Sequence, residues 1–88
     1  MEVSELDADA LKDALTRLRK VEGQIRAVQR MIEEGRDCQE VLRQIAASTK
    51  ALRRAGVTLA AVGLEHCLRA ENGEADSAVL RQAFIELS

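Results

Sequence analysis

Residues 11–32 read LKDALTRLRKVEGQIRAVQRMI. Leu11, Leu15, Leu18, Val21, Ile25, Val28 and Ile32 recur at spacings of 4, 3, 3, 4, 3 and 4, which is the period of one apolar face on an α-helix. The pattern predicts a long first helix from about Ala8 to Glu34. Gly35 is placed to end it in a left-handed conformation. Gly23 lies inside the helix at a cost in stability, and its lack of a side chain suits a close helix–helix contact.

Asp37 with Glu40 three residues later reads as a capping box that opens a second helix. No breaker follows until Asn72-Gly73, since Gly56 and Gly63 are isolated and tolerated. That predicts more than thirty helical residues, about 50 Å at 1.5 Å per residue, which need a partner to cover them. A short third helix, Ser77 to about Leu87, is predicted with Asp76 as its cap and Leu80, Ala83, Phe84 and Leu87 as its apolar face. The fold class is all-α, a three-helix protomer, with residues 1–7 as a flexible acidic amino-terminal segment and residues 8–88 as a single domain. The helices are too long for the short-helix, tight-turn helix-turn-helix motif.

Composition agrees. With 88 residues there is room for one domain. Hydrophobic residues make 47% and charged residues 32%, the balance of a globular chain. One Phe and no Tyr or Trp argue against folds that stack bases on aromatic platforms. The absence of proline and the five glycines argue against strand-and-turn architectures. Small aliphatic side chains on so short a chain bury a thin core, so an oligomer that shares its core is expected. The start of the chain, MEVSELDADA, resembles neither a signal nor a transit peptide. No stretch approaches the roughly 20 apolar residues of a membrane span. A cytoplasmic protein with no membrane partner is expected, and its two cysteines are expected to be reduced thiols.

Net charge is −2, but it is unevenly placed. Residues 1–13 carry five acids and one lysine, residues 14–54 ten bases and five acids, and residues 55–88 two bases and five acids. The middle is a basic belt, in which Arg17, Arg19, Lys20, Arg26, Lys50, Arg53 and Arg54 are the candidate DNA contacts. A solvated helical surface accounts for the same charges.

Cys38 and Cys67 lie 29 residues apart on the predicted second helix. At 100° per residue this leaves a phase difference of about 20°, so both point to one face, about 43 Å apart along the axis. A disulfide needs Cα atoms within roughly 7 Å, so the two cannot meet within one intact helix. They can meet between chains. If two copies of the helix pack antiparallel, Cys38 faces Cys67 of the partner twice, about a dyad between Leu52 and Arg53. The face between them, Leu42, Ile45, Thr49, Leu52, Gly56, Leu59 and Gly63, is mostly apolar or small and suits a self-complementary contact. Packing as small buried hydrophobes is the other reading of the two cysteines. Cys38 falls in the first helical turn, where the helix dipole favours a thiolate. Arg36 and Arg43 are nearby, and Asp37 and Glu40 oppose them.

The segment Arg17-Leu18-Arg19-Lys20-Val21-Glu22-Gly23-Gln24-Ile25-Arg26, with Met31-Ile32-Glu33, Asp37-Cys38, Gln44-Ile45 and Cys67, resembles the CsoR/RcnR family of bacterial repressors over about residues 10–87. The resemblance implies an antiparallel helical-bundle dimer, a dimer-of-dimers tetramer, and operator DNA bound without a helix-turn-helix, with Arg17 and Arg54 foremost. The copper branch of that family binds Cu(I) through a Cys, a His four residues before the second Cys, and that second Cys. Gly63 occupies the histidine position here, Asp37 stands where that branch tends to carry Tyr, and about Ala83 stands at its supporting Glu. His66 lies about 100° around the helix from Cys67. The nickel/cobalt branch needs several histidines, and this chain has one. The formaldehyde branch carries a Pro where Glu2 stands.

Two cysteines without that histidine resemble the CstR branch, which responds to persulfides and polysulfides. A thiolate attacks sulfane sulfur and becomes a persulfide, and the neighbouring protomer's Cys then closes a bridge. Each inserted sulfur adds about 2 Å of reach. The expectation is therefore a cytoplasmic homotetrameric repressor that releases operator DNA when reactive sulfur joins Cys38 to Cys67, with no cofactor, no metal and no catalytic residues. The alternatives are a Cu(I)-sensing repressor using Cys38 and Cys67, since thiolates select Cu(I), or a small thiol redox or sulfur-carrier protein. The last has no C-x-x-C, acid–base pair or cofactor loop behind it.

Overall fold

The computed structural model describes residues 1–70 and 73–88. A 3-10 turn at Val3–Glu5 precedes α1 (Ala8–Glu33), α2 (Cys38–Arg69) and α3 (Glu74–Leu87), and no strand occurs among the described residues. Among the described residues, no helix is long and apolar enough to cross a membrane.

Local chemistry sets the first two helices. The Asp7 side chain accepts from the Ala10 amide at 3.0 Å and starts α1. Gly35, at φ 70°, ends it: its amide donates to the Ile32 carbonyl and the Arg36 amide to the Met31 carbonyl. This pair of bonds is a Schellman motif, and it needs a residue tolerant of the left-handed region. Asp37 then accepts from the Gln39 and Glu40 amides at 3.1 and 3.3 Å and opens α2. Glu40 does not complete a capping box; its carboxylate pairs with Arg36.

The third helix departs from the expectation. It starts at Glu74 with Gly73 as its cap, so Asp76 lies inside the first turn. Gly73 closes on the end of α2, where a Cβ would overlap the Cys67 carbonyl oxygen. Its place is set by space that only glycine leaves. The expected breaker at Asn72 lies outside the described residues.

α2 is the spine, with α1 packed on it on one side of the chain order and α3 on the other. Ala14, Val21, Val28 and Met31 of α1 are buried, as are Ser48 and Ala55 of α2. The single apolar stripe expected on α1 is thus divided. One edge faces α2, and the other, with Leu15 at 49% and Ile32 at 60% exposed, faces outward. Leu42, Ile45 and Leu52 of α2 are exposed too. Gly23 has open space where its Cβ would be, so no close contact forms there within the chain.

The second half of the expected inter-chain seam is taken by α3. A Cβ on Gly56 would stand 2.9 Å from Leu87 Cδ1, and one on Gly63 3.0 Å from Leu80 Cδ1. Two glycines seven residues apart thus receive two leucines seven residues apart, in antiparallel register. The radius of gyration is 16.3 Å, against about 12 Å for a compact domain of this length. The chain is a flat 54 × 24 × 13 Å sliver.

Candidate functional site

The two thiols occupy opposite ends of α2 and opposite environments. Cys38 is its first residue and is exposed; Cys67 is 5% exposed near its last turn. With α2 continuous between them, the separation along the axis is about 43 Å, and one chain cannot bring them together.

What lies beside Cys67 is Met1. The Met1 Sδ is 4.0 Å from Cys67 Sγ, and the Met1 side chain keeps only 14% of its accessible surface. The first residues reach this point because they fold back along α2 and α3. Glu2 and Glu5 cap the 3-10 turn reciprocally, Leu6 is buried, and the Met1 amino nitrogen is 3.7 Å from the Asp76 carboxylate. Beneath them is an apolar cavity of about 340 Å³ whose lining includes Met1, Leu6, Gly56, Leu59, Gly63 and Ala83. The Met1 methyl carbon lies 3.7 Å from the point where a Cβ on Gly63 would be. Leu80 Cδ1 is nearer to that point, at 3.0 Å, so the Met1 methyl stands at the edge of the space left by the missing side chain. His66 is half-buried beside Cys67 in sequence. Among the described residues, no cluster of three His, Cys, Asp or Glu side chains could hold a metal ion within one chain. The nearest soft donor set is one thiol and one thioether.

The basic residues divide. Arg17, Lys50, Arg53 and Arg54 line one shallow depression across α1 and α2, with Val57 and Thr58. Arg17, Lys20 and Arg54 also line its neighbour, with Asp13, Thr16 and Gln24. Arg26 lies elsewhere, beside the outward apolar residues Leu18 and Ile25, and Arg19 lines neither depression. Arg17 is held by Asp13 at 2.9 Å and Arg26 by Glu22 at 3.4 Å. Among the described residues, Lys20, Lys50, Arg53 and Arg54 make no ion pair. Gln24 was missed by charge alone. Its buried Oε1 has no hydrogen-bond partner among the described residues and it faces the basic depression. Its spacing of four and seven from Lys20 and Arg17 is the signal that places it on their face.

Several known proteins are similar to this chain. "Copper-sensing transcriptional repressor RicR" of Mycobacterium tuberculosis is 46% identical over 70 residues, 76% of this chain and 73% of the relative. "Copper-sensing transcriptional repressor CsoR" of Bacillus subtilis is 34% identical over 71 residues, 77% of this chain and 70% of the relative. "Uncharacterized protein YrkD" of Bacillus subtilis is 42% identical over 55 residues, 60% of this chain and 87% of the relative. No solved structure matches. Two of these relatives are copper sensors by name, and none is described as a sulfur sensor, so the expected persulfide response draws no support from them. With the match to the metal-sensitive transcriptional repressor description running over residues 10–87, the chain belongs to the metal-sensitive transcriptional repressor family.

Proposed function

We propose that this repressor binds operator DNA through the Arg17–Lys50–Arg53–Arg54 face and loses affinity when Cu(I) is captured between Cys67 of one protomer and Cys38 of the partner subunit. The observation that carries the proposal is the likeness to two relatives that sense copper by name, in a chain whose two free thiols, Cys38 and Cys67, are soft donors. Soft sulfur donors select Cu(I) over harder divalent ions. The distance between Cys38 and Cys67 in one chain requires a second chain. The outward residues Leu15, Leu18, Ile25, Ile32, Leu42 and Leu52 supply an apolar surface for it. An antiparallel dimer, doubled to a tetramer, repeats the basic face. Cu(I) releases DNA if it binds more tightly to the arrangement that fits DNA less well.

A reactive-sulfur response is the second reading. Gly63 favours it, since the site has no side chain at that position and no imidazole is added to the thiols. Fluorescence anisotropy of the protein on its promoter fragment separates the two. Anaerobic Cu(I), added up to one ion per Cys38–Cys67 pair, is expected to release DNA. Release by tetrasulfide with no effect of Cu(I) transfers the assignment to sulfur.

A further inference from the structure

We propose that the Met1 thioether is a Cu(I) ligand, supplying beside Cys67 the donor that Gly63 does not. The inference rests on the copper reading above and adds to it a residue that charge, motif and spacing give no reason to select. Three observations converge. Met1 Sδ is 4.0 Å from Cys67 Sγ. The Met1 side chain keeps 14% of its accessible surface, while the residue as a whole, with its terminal amino group, is 45% exposed. Its methyl carbon is 3.7 Å from the Cβ position of Gly63, at the edge of the notch that Leu80 fills from 3.0 Å.

The spacing suits a shared ion. Sulfurs 4.0 Å apart are close enough for one ion to touch both. A thioether carries no charge and no proton, so it adds a soft donor without repelling the Cys67 thiolate. On binding, the Cys67 S–H bond breaks, its proton leaves to solvent and a Cu–S bond forms. The copper stays Cu(I). Cys38 of the partner subunit loses a proton in the same way, and the Met1 sulfur donates a lone pair with no bond broken. The site is then two thiolates and one thioether across two chains, and the fold of the first residues over α2 and α3 becomes part of it.

The test uses the full-length protein released from a cleavable amino-terminal fusion, so that position 1 can be varied. Cu(I) affinity is read by anaerobic competition with bathocuproine disulfonate. Met1→Leu keeps the bulk and removes the sulfur, and its affinity is expected to fall by about tenfold or more, as when a metal-site partner is removed, with helical circular dichroism unchanged. In parallel, Met31→Leu protein is labelled with selenomethionine, leaving Met1 as its one selenium. Selenium-edge absorption of the copper-loaded sample is expected to show copper in the first shell. That measurement holds even if Met1→Leu folds poorly. Wild type that takes one Cu(I) per thiol pair, while selenium shows no copper neighbour and Met1→Leu binds equally well, overturns the Met1 role and leaves the copper reading standing. Wild type that takes no Cu(I) from the competitor overturns both.

Discussion

Leu80 fills the notch left by Gly63: its Cδ1 lies 3.0 Å, and its Cδ2 3.3 Å, from the point where a Cβ would stand. This packing decides what position 63 tolerates. Ala there gains about 1 kcal/mol of helix propensity over Gly, offset by the few tenths of an ångström that Leu80 must yield. Gly63→Ala is therefore expected to change stability by less than about 1 kcal/mol. Gly63→His has no such balance. Its ring competes with both Leu80 and the Met1 methyl, and overpacking of that kind costs about 1–3 kcal/mol. Leu80→Ala clears the space. The double variant Gly63→His/Leu80→Ala is expected to bind Cu(I) more tightly than Gly63→His alone, and the two changes are coupled because the side chains touch. Thermal melts and Cu(I) competition on the four proteins of the cycle check this.

Arg54 lines both basic depressions, whereas Arg26 lines neither. Arg54→Ala is expected to weaken operator binding and to lower the slope of log affinity against log salt by about 1 for each phosphate that Arg54 neutralises. Arg26→Ala is expected to leave that slope nearly unchanged. Asp13→Asn acts in the opposite direction. Asp13 holds Arg17 in an exposed i, i+4 pair, worth about 0.3–0.5 kcal/mol. Releasing Arg17 should raise DNA affinity by about twofold. Anisotropy titrations at three or more salt concentrations measure all three variants. Equal slopes for Arg54→Ala and wild type remove Arg54 from the interface.

The exposed Cys38 and the buried Cys67 are expected to react with iodoacetamide in that order. Cys67 reacts only when the segment bearing Met1 lifts or the end of α2 opens, so its rate is expected to be lower by about tenfold or more. Removing that segment is expected to bring the two rates together. Time-resolved peptide mass mapping reads both sites in one sample. Equal rates in the intact protein mean that Met1 does not cover the thiol in solution.

Which parts of this arrangement the sequence announces follows from how far each cause reaches. Gly35 and Asp37 act on atoms within four residues, and the Schellman turn and the α2 cap were legible. Gly73 is different: its role depends on the Cys67 carbonyl folded against it, so Asp76 looked like the better cap. Gly56 and Gly63 announce that a helix approaches closely, but not which helix. The partner chain was the expectation, and α3 of the same chain occupies both notches. Met1 joins Cys67 across 66 residues of sequence, with no motif or period linking them. The basic residues were legible as a group; their division into a clustered face and the separate Arg19 and Arg26 comes from the crossing of α1 and α2.

Replacing each cysteine in turn distinguishes a metal site from a sulfur bridge. In the copper reading Cys67 stands beside Met1 in the same chain, while Cys38 arrives from the partner subunit. Cys67→Ala removes the buried member of the preassembled pair and is expected to abolish tight Cu(I) binding. Cys38→Ala retains Cys67 and Met1 and is expected to keep weaker binding, reduced by about tenfold or more, without DNA release. Both variants are expected to bind operator DNA as wild type does, because neither thiol lies in the basic depressions. Sulfur chemistry reverses the asymmetry. The exposed Cys38 is the first to take up sulfur, so Cys67→Ala still becomes persulfidated at Cys38 but forms no bridge to Cys67, and Cys38→Ala loses the response. Competition with bathocuproine disulfonate, non-reducing electrophoresis and intact mass are run on the same variants. A tetrasulfide-induced Cys38–Cys67 bridge that releases DNA, together with Cu(I) binding indifferent to Cys67→Ala, rejects the copper site. Tight copper binding that disappears with Cys67, and no bridge in wild type, rejects the sulfur switch.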